Sequence, residues 1–447
     1  MESIRGAVMP RAVQNNEMSR NDMDKERNRD EEQREKEQRR QERRQARIER
    51  RREKRKNRYT ARHQLMRLPI LILLAAVGLF VPKLLSAFTQ ETERIYSRTI
   101  YPVISRVLGA ISSVFPFSLA EILMFSVGAI LLIVLFVRLF RLAFSKLLKR
   151  RRNRQRFYSY LISLGIFAGI MLNLFYALWG INHYRMPVAE LLGFSNELAQ
   201  VNATKAEYEA NPESESYAEL LGAACERLAA AAAENRSGLS ENQNGVFTVA
   251  DENAAFNSVK AAYSALGSVN GLFGGRVYSA KPLKFSTLFS RLDIAGIYIP
   301  YTAEANVNTD QPALLLFATA AHETAHYFGF AREAEANFLA YYVSLFSNDP
   351  AMRYSCEMLA LMQCMNRLAS VDEKRFYSVR ERFFTPAMMR DLADYSRWTE
   401  KYENDPLGAA NDKINDAYLK HNGQTAGTNS YGDVAELVVA AGMRNAE

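Results

Sequence analysis

Three apolar runs near the start of the chain constrain its fold most, because each is close to the ~20 residues that cross a bilayer as a helix. They cover about 68–88, 117–140 and 158–180. Pro82 and Lys83 shorten the apolar part of the first run. Aromatic residues border the third run, as is typical of a membrane–water interface. The three runs predict a multi-pass membrane protein rather than a soluble protein with three buried helices.

Basic charge is concentrated beside these runs. Residues 1–67 carry 22 Lys and Arg residues against 13 Asp and Glu residues, and residues 138–156 carry nine basic residues and no acidic residue. The rest of the chain has a net charge of −10, although the whole chain carries +8. Because Lys and Arg favour the cytoplasmic side of a membrane, we expect a cytoplasmic N-terminus in the cell membrane. The basic segments adjoin apolar runs, so we expect no nucleic-acid partner.

The chain is expected to have three regions. Residues 1–66 are a cytoplasmic tail, partly helical or disordered, because they are rich in helix-forming charged residues but contain no apolar stripe. Residues 67–183 hold the three transmembrane helices. Residues 184–447 form an extracytoplasmic domain. The expected partners are the lipid bilayer, with anionic lipid near the basic flanks, and a peptide or protein substrate.

The extracytoplasmic region is predicted to be mainly α-helical. Apolar periodicity predicts four helices, at about 214–234, 251–266, 352–369 and 384–403. Asp251 suits the N-cap of the second helix. Residues 294–301 predict a strand, and Pro300 places it at a sheet edge or a strand end.

An HExxH motif, residues 322–326, is the part of the chain that indicates chemistry. His322 and His326 are four residues apart, so a helix places both on one face, where they can bind one zinc ion. Glu323 is placed to act as a general base without being a ligand, which makes it the predicted catalytic residue. The preceding residues are apolar, so burying two histidines and a glutamate without a partner would be costly.

A third metal ligand has to come from beyond the motif helix. On a continuous helix Glu333 would lie about 10 Å along the axis from His326, at ~1.5 Å per residue. Gly329 permits the chain to turn between them. Glu333 is then the preferred ligand and Glu335 the alternative, because Asn337 follows Glu333 by four residues on the same helix face.

Further residues are candidates for a substrate cleft or an oxyanion site. Glu304 and Asn306 follow the predicted strand, where they would either line a cleft or serve as turn and cap residues before the next helix. Tyr431 or His421 could donate a hydrogen bond to a developing oxyanion, or be surface turn residues. His183 is expected at the membrane interface rather than on the metal.

The stretch from Glu333 to Asn337 resembles the ExxAD motif of membrane-bound zinc metallopeptidases. In those enzymes the Glu binds zinc and the Asp supports a ligand histidine. Here Asn337 stands in the Asp place, so it can accept a hydrogen bond from an imidazole but brings no charge.

The wider set of motifs is similar to an uncharacterised bacterial membrane family, known as domain-of-unknown-function family 3810. The resemblance covers about residues 65–440. It implies a zincin-like α+β domain, mainly α, with a small strand region before the HExxH helix, and it supplies no known substrate. The motifs that carry it, besides the HExxH stretch, are Phe-Pro-Phe-Ser at 115–118, Trp-Gly-Ile-Asn at 179–182, Glu-Ala-Asn-Val-Asn at 304–308 and Ser-Tyr-Gly at 430–432.

These observations lead to two functional hypotheses. The first is a membrane-bound zinc metallopeptidase that hydrolyses peptide bonds of a peptide or protein at the outer face of the membrane. The alternative is a non-catalytic cell-envelope module with a structural or vestigial metal site. Replacing Glu323 with Gln separates the two, because only a catalytic site would lose turnover while it keeps its metal.

Overall fold

The computed structural model describes residues 34, 36, 38–52, 61–144, 153–422 and 433–444, and these residues are mainly helical. The contacts between residues divide the chain into two units. The first comprises Met1–Pro69 with Arg141–Ser163, and the second comprises Ile70–Phe140 with Leu164–Glu447. The HExxH motif lies wholly in the second unit.

The first unit contains two helices of the N-terminal region and end residues of the three apolar helices. Helix α1 covers residues 38–52 and its side chains are exposed along its length, which agrees with a tail that buries no core. Helix α2 is Ala61–Leu65. The Arg67 guanidinium donates hydrogen bonds to the hydroxyls of Ser159, at 3.3 Å, and Ser163, at 2.7 Å. These bonds join the start of the first apolar helix to the third.

Within the described residues, three helices are long and apolar enough to span a membrane. They are α3 (Leu68–Leu85), α6 (Leu119–Ala143) and α7 (Asn153–Leu178). Large apolar side chains on them are exposed, for example Phe80 at 68% and Phe136 at 69%. Exposed apolar surface of this extent marks contact with an apolar partner. The positions of the three predicted apolar helices are confirmed.

The segment between the first two apolar helices is helical and belongs to the second unit. It consists of α4 (Thr89–Glu91), a π-helix (Thr92–Ile100) and α5 (Tyr101–Ser112). The guanidinium of Arg185, far along the chain, forms two hydrogen bonds of 2.9 Å with the carboxylate of Glu93. Both side chains are 3% exposed. This buried ion pair attaches the segment to the residues that follow α7.

The rest of the second unit is built mostly from helices. Before the sheet come a 3-10 turn (Gly180–Tyr184), α8 (Val188–Leu192), α9 (Ser195–Ala210), α10 (Ser216–Arg236), α11 (Glu252–Val269) and a 3-10 turn (Gly271–Phe273). After the motif come α14 (Glu333–Ser344), α15 (Pro350–Val371), α16 (Glu373–Phe383), α17 (Pro386–Tyr402), α18 (Pro406–His421) and α19 (Val434–Arg444). All four helices predicted from periodicity are confirmed. So is the N-cap at Asp251, whose carboxylate accepts from the Asn253 N–H at 2.9 Å.

A three-stranded sheet precedes the motif helix. Its strands are β1 (Lys281–Pro282), β2 (Gly296–Ile299) and β3 (Glu304–Val307), in the order β1-β3-β2, with α12 (Ser286–Arg291) between the first two. Strand β3 is parallel to β1 and antiparallel to β2. The predicted strand at 294–301 is β2, at the sheet edge as Pro300 indicates. The central strand β3 was not predicted as a strand.

The motif helix α13 (Ala313–Tyr327) lies inside the core of the second unit. It packs against β2 and β3 and against α11, α14 and α15. Leu314, Phe317 and Ala321 on this helix are at most 3% exposed. The Tyr263 hydroxyl donates to the Ala321 carbonyl at 2.8 Å. The histidines are therefore held by a helix that is packed against other elements on most of its faces.

Candidate metal centre

Helix α13 ends directly after the second histidine of the motif. Gly329 has a left-handed backbone conformation, with a φ of +82°. Its N–H donates to the His326 carbonyl at 2.9 Å, and the Phe330 N–H donates to the Ala325 carbonyl at 3.1 Å. These are the two hydrogen bonds of a Schellman motif. The turn predicted at Gly329 is confirmed, and helix α14 then begins at Glu333.

The same turn orients the two imidazole rings. His326 Nδ1 lies 2.7 Å from the Phe330 carbonyl oxygen, which can only accept, so Nδ1 carries the proton and Nε2 of the neutral ring presents a lone pair. His322 Nδ1 lies 2.8 Å from Asn337 Oδ1 on α14. The two Nε2 atoms face each other at 3.1 Å. Both rings therefore direct their Nε2 atoms to one point.

Glu333 brings a carboxylate to that point. Its Oε2 lies 3.2 Å from His322 Nε2, and its Oε1 lies 3.7 Å from His326 Nε2. One ligand atom from each of the three residues lies within 4.8 Å of the others. Two imidazoles and one carboxylate form a donor set that suits a zinc ion and leaves a fourth position open.

Electrostatics couple the three groups. Burial lowers the pKa of His326 to about 4, although the Glu333 charge opposes this. Burial also lowers the pKa of His322, but the hydrogen bond to Glu333 and the charge of Glu323 outweigh it and raise the pKa to about 9. Burial raises the pKa of Glu333, but both histidines outweigh it and lower the pKa to about 2. At neutral pH a proton on His322 therefore offsets the carboxylate, and a bound cation would replace that proton.

Glu323 lies beside the cluster without joining it. Its side chain is buried, and Oε2 has no hydrogen-bond partner among the described residues. Burial raises the pKa of this carboxyl to about 8, partly opposed by the His322 charge. Strand β2 approaches it closely, because a Cβ at Gly296 would lie 2.7 Å from Glu323 Oε1. Glycine at this position makes room for the carboxylate.

Glu335, the alternative third ligand, has other partners. Its Oε1 accepts a hydrogen bond from the Val188 N–H at 2.9 Å, at the start of α8. The same oxygen pairs with the Arg332 guanidinium. Oε2 of Glu335 is buried without a partner in the described part of the chain. The geometry thus places Glu333, and not Glu335, at the imidazole rings.

Two of the cleft candidates, Glu304 and Asn306, make their contacts within the sheet and with the second apolar helix. The Glu304 carboxylate accepts from the N–H groups of Leu119, at 3.1 Å, and Ala120, at 2.6 Å, in the first turn of α6. It also pairs with Lys281. Asn306 is fully buried, and its amide donates across the strands to the Ile297 carbonyl at 3.1 Å. These are cap and sheet contacts. Tyr431, the oxyanion candidate, lies outside the described residues.

Three aromatic residues with no predicted role at the site support the end of α13. The Trp179 indole N–H donates to the His326 carbonyl at 2.9 Å. The Tyr101 hydroxyl, 2.9 Å from the Tyr327 carbonyl, also lies 3.0 Å from the hydroxyl of Tyr298. Trp179 belonged to a motif of the resemblance, but no periodicity or spacing pointed to Tyr101.

His183 is 4% exposed and lies inside the second unit. Its Nε2 lies 2.8 Å from the Tyr418 hydroxyl on α18. Burial lowers the pKa of His183 to about 3, although the Glu333 charge opposes this. Helix α18 thus covers this side chain, and His183 contributes no atom to the His–His–Glu cluster; its place at the membrane interface stays a prediction.

A cavity of about 560 Å³ opens onto the cluster. This size is in the range of small-ligand and peptide-side-chain pockets. His322, Glu323 and Glu333 line it on one side, and β2 lines it on another. Apolar and aromatic residues form much of the remaining wall, including Phe175, Trp179, Leu315, Ile414 and Tyr418. The cluster is therefore accessible to a molecule larger than water.

Replacing Gly329 with Ala should destabilise the protein more than replacing Gly238 with Ala. Both glycines have a left-handed φ, +82° and +79°, so both substitutions cost about 1 kcal/mol of backbone strain. A Cβ at Gly238 meets open space, whereas one at Gly329 would lie 2.9 Å from Tyr101 Cε1 and 3.1 Å from Asn182 Cγ. Crowding should add about 1–3 kcal/mol at Gly329. Thermal unfolding of the detergent-solubilised variants measures the difference, and equal losses would contradict the crowding.

The fold and the cluster define a class of protein: a mainly helical, membrane-associated chain with a His–His–Glu site at the end of a buried helix. The chain belongs to the family described as Protein of unknown function (DUF3810), whose sequence profile matches residues 96–439. No curated protein and no solved structure matches the chain.

Proposed function

We propose that this protein is a zinc-dependent metallopeptidase of the cell membrane that hydrolyses peptide bonds at the outer face. The observation that carries the proposal is the convergence of His322 Nε2, His326 Nε2 and the Glu333 carboxylate within 4.8 Å. The Nδ1 atom of each histidine has its own oxygen partner, so Nε2 is the atom left for a metal ion. Such fixed orientation is typical of metal-binding histidines.

A divalent zinc ion at this point would supply Lewis-acid chemistry, polarising a carbonyl and activating a water molecule. The chain's own contribution is a base beside the reacting centre. Glu323 is excluded from bulk solvent, and one of its oxygens is free of hydrogen bonds within the described structure. A cation bound beside it would favour the carboxylate form of Glu323, which could then take a proton from the attacking water and deliver it to the leaving amine.

The cavity suits a peptide segment. Strand β2 is at the sheet edge and lines the cavity from Gly296 to Tyr298. An edge strand has free backbone groups that can pair with an extended peptide. The apolar wall, with Phe175 from the end of the third apolar helix, favours a substrate with apolar side chains close to the membrane.

The charge distribution supports the orientation. The basic residues at 1–67 and 138–156 would lie in the cytoplasm. The segment between α3 and α6 and the domain after α7 would then both be extracytoplasmic, and the contacts between Glu304 and the start of α6 agree with this. The basic flanks would contact anionic lipid on the inner face.

Proteolysis by the purified full-length protein should depend on a bound metal. Incubation with a peptide library, read by mass spectrometry, should yield cleavage products that disappear with a chelating phenanthroline isomer. Loss of bound Zn²⁺ should reduce cleavage at least ~100-fold, because the metal both polarises the substrate and activates water. Added Zn²⁺ should restore cleavage.

The non-chelating phenanthroline isomer is the matched control, because it has the same shape and hydrophobicity. Equal inhibition by both isomers would indicate blockage of the apolar cavity rather than metal removal. Metal-bound protein that cleaves no peptide in the library would favour the non-catalytic alternative.

A further inference from the structure

A second cavity adjoins the end of helix α13, where Tyr327 and Phe328 line it. Its volume is about 230 Å³, and residues of the π-helix and α5 line it together with the loop from Gly271 to Arg276. Four arginines contribute to its wall: Arg98, Arg106, Arg185 and Arg276. The described lining residues include no acidic residue. The cavity is therefore suited to an anion.

Most of this positive charge is uncompensated. Glu93 pairs with both Arg98 and Arg185, each at 2.9 Å. Arg106 and Arg276 have no carboxylate partner within the described residues; Arg106 instead donates to the Gly274 carbonyl at 3.2 Å, and Arg276 lies over the Tyr278 ring. The cluster thus carries four guanidinium groups against one carboxylate.

A buried hydroxyl without a partner lies in the same wall. Ser97 lines the cavity and is 4% exposed. Its Oγ has no hydrogen-bond partner among the described residues. A buried polar atom usually has a partner, and an anionic oxygen in the cavity would supply one. The hydroxyl and the guanidinium groups together form the donors that a phosphate requires.

An apolar stripe runs from the last residue of the π-helix along α5 to the turn after it, beside this cavity. Its members are spaced three or four residues apart, the spacing of one helix face, and are 45–76% exposed: Ile100, Val103, Val107, Ile111 and Val114. Pro102 and Arg106, their neighbours on the helix, line the cavity. The segment starts after the end of α3 and leads into α6, so both of its ends are tied to one surface of the membrane.

We propose that the Arg-rich cavity and the apolar stripe of α5 bind one anionic phospholipid. The phosphate lies in the cavity against Ser97, Arg106 and Arg276, and the acyl chains lie along the stripe. A soluble anion would account for the arginines but not for the exposed Val and Ile residues. A second protein copy would account for the stripe but would not bring negative charge. Only an anionic amphiphile satisfies both features.

Native mass spectrometry of the full-length protein in detergent tests this proposal. Titration with phosphatidylglycerol and phosphatidylcholine should show about tenfold tighter binding of the anionic lipid, because both carry a phosphate but the choline cation of the zwitterionic lipid is repelled by the guanidinium groups. The double variant Arg106→Gln, Arg276→Gln should lose this preference. Arg397→Gln, another exposed arginine, on α17 and outside the cavity wall, is the control and should keep it.

Two further measurements identify the ligand. Val107→Asn, on the exposed face of α5, should weaken binding of both lipids without removing the preference for phosphatidylglycerol. Glycerol phosphate should compete only at concentrations far above those of the lipid. An unchanged preference in the double arginine variant overturns the proposal. Equal competition by glycerol phosphate also overturns the proposal, because it indicates that the ligand is a soluble anion. Displacement of lipid by dimer formation overturns it as well.

Discussion

Replacing His322 and His326 together with Ala should abolish metal binding. The purified wild-type protein should contain about one zinc ion per chain, and the double variant less than about a tenth of that, because a single carboxylate cannot hold zinc against water. Plasma emission spectrometry of the protein after gel filtration measures the ratio. His63→Ala, in the first unit and not a member of the His–His–Glu cluster, is the control for loss of a histidine.

The third ligand can be tested with a pair of matched variants. Glu333→Gln should lower zinc affinity at least ~100-fold, beyond the effect typical of residues that merely orient a ligand. Glu335→Gln, on the same helix turn, should keep the metal, because its Oε1 pairs with Val188 and Arg332 instead. Asn337→Ala should cause an intermediate loss of about 10–100-fold through the freed His322 ring. Zinc retained by Glu333→Gln and lost by Glu335→Gln would reverse the assignment.

The parts of this site that lie close together in sequence could be predicted. These parts all lie within twelve residues: the two histidines His322 and His326, the turn at Gly329 and the carboxylate that follows it. Local rules govern them: helix periodicity, the backbone freedom of glycine, and metal-ligand chemistry. The three apolar helices were predictable for the same reason, since length and composition alone decide them.

The surroundings of the site could not be predicted, because they depend on pairs distant in sequence. Tyr101 is 226 residues from the Tyr327 carbonyl that it contacts, and Trp179 is 147 residues from His326. Neither has a local signal, since a tyrosine on an amphipathic helix or a tryptophan after an apolar run is common at membrane interfaces. Their roles follow from tertiary packing alone.

Glu304 has a contact that neither of the two expectations for it described. It was expected to line a cleft or to act as a turn and cap residue before the helix that follows it. The helix that Glu304 caps begins 185 residues earlier, at Leu119. Because the unpaired N–H groups of a helix start attract negative charge, Glu304 fixes the second apolar helix to the sheet. The start of the second apolar helix and the site thus belong to the same unit of the chain.

Replacing Glu323 with Gln should remove peptidase turnover while zinc stays bound. Glutamine keeps the size of the side chain and its place beside β2, but it cannot accept a proton, so the rate should fall about 10²–10⁴-fold, the usual contribution of a general base. Zinc content and peptide cleavage are measured on the same preparation. The thermal unfolding midpoint should not fall, because Glu323 Oε2 makes no hydrogen bond with the described residues that the substitution could break.

Glu357→Gln is the matched control for this variant. Glu357 is also a buried glutamate, 1% exposed on α15, but it bonds to Asn235 and is not a lining residue of the site cavity. Its substitution should leave both zinc content and cleavage unchanged, so that loss of activity in Glu323→Gln reflects position and not the removal of a buried charge. If Glu323→Gln instead cleaves as fast as the wild type, with zinc bound, the base lies elsewhere or the site is structural. If Glu323→Gln loses zinc, Glu323 is a metal ligand. Glu333 would then lie at the position that is left open for water or substrate.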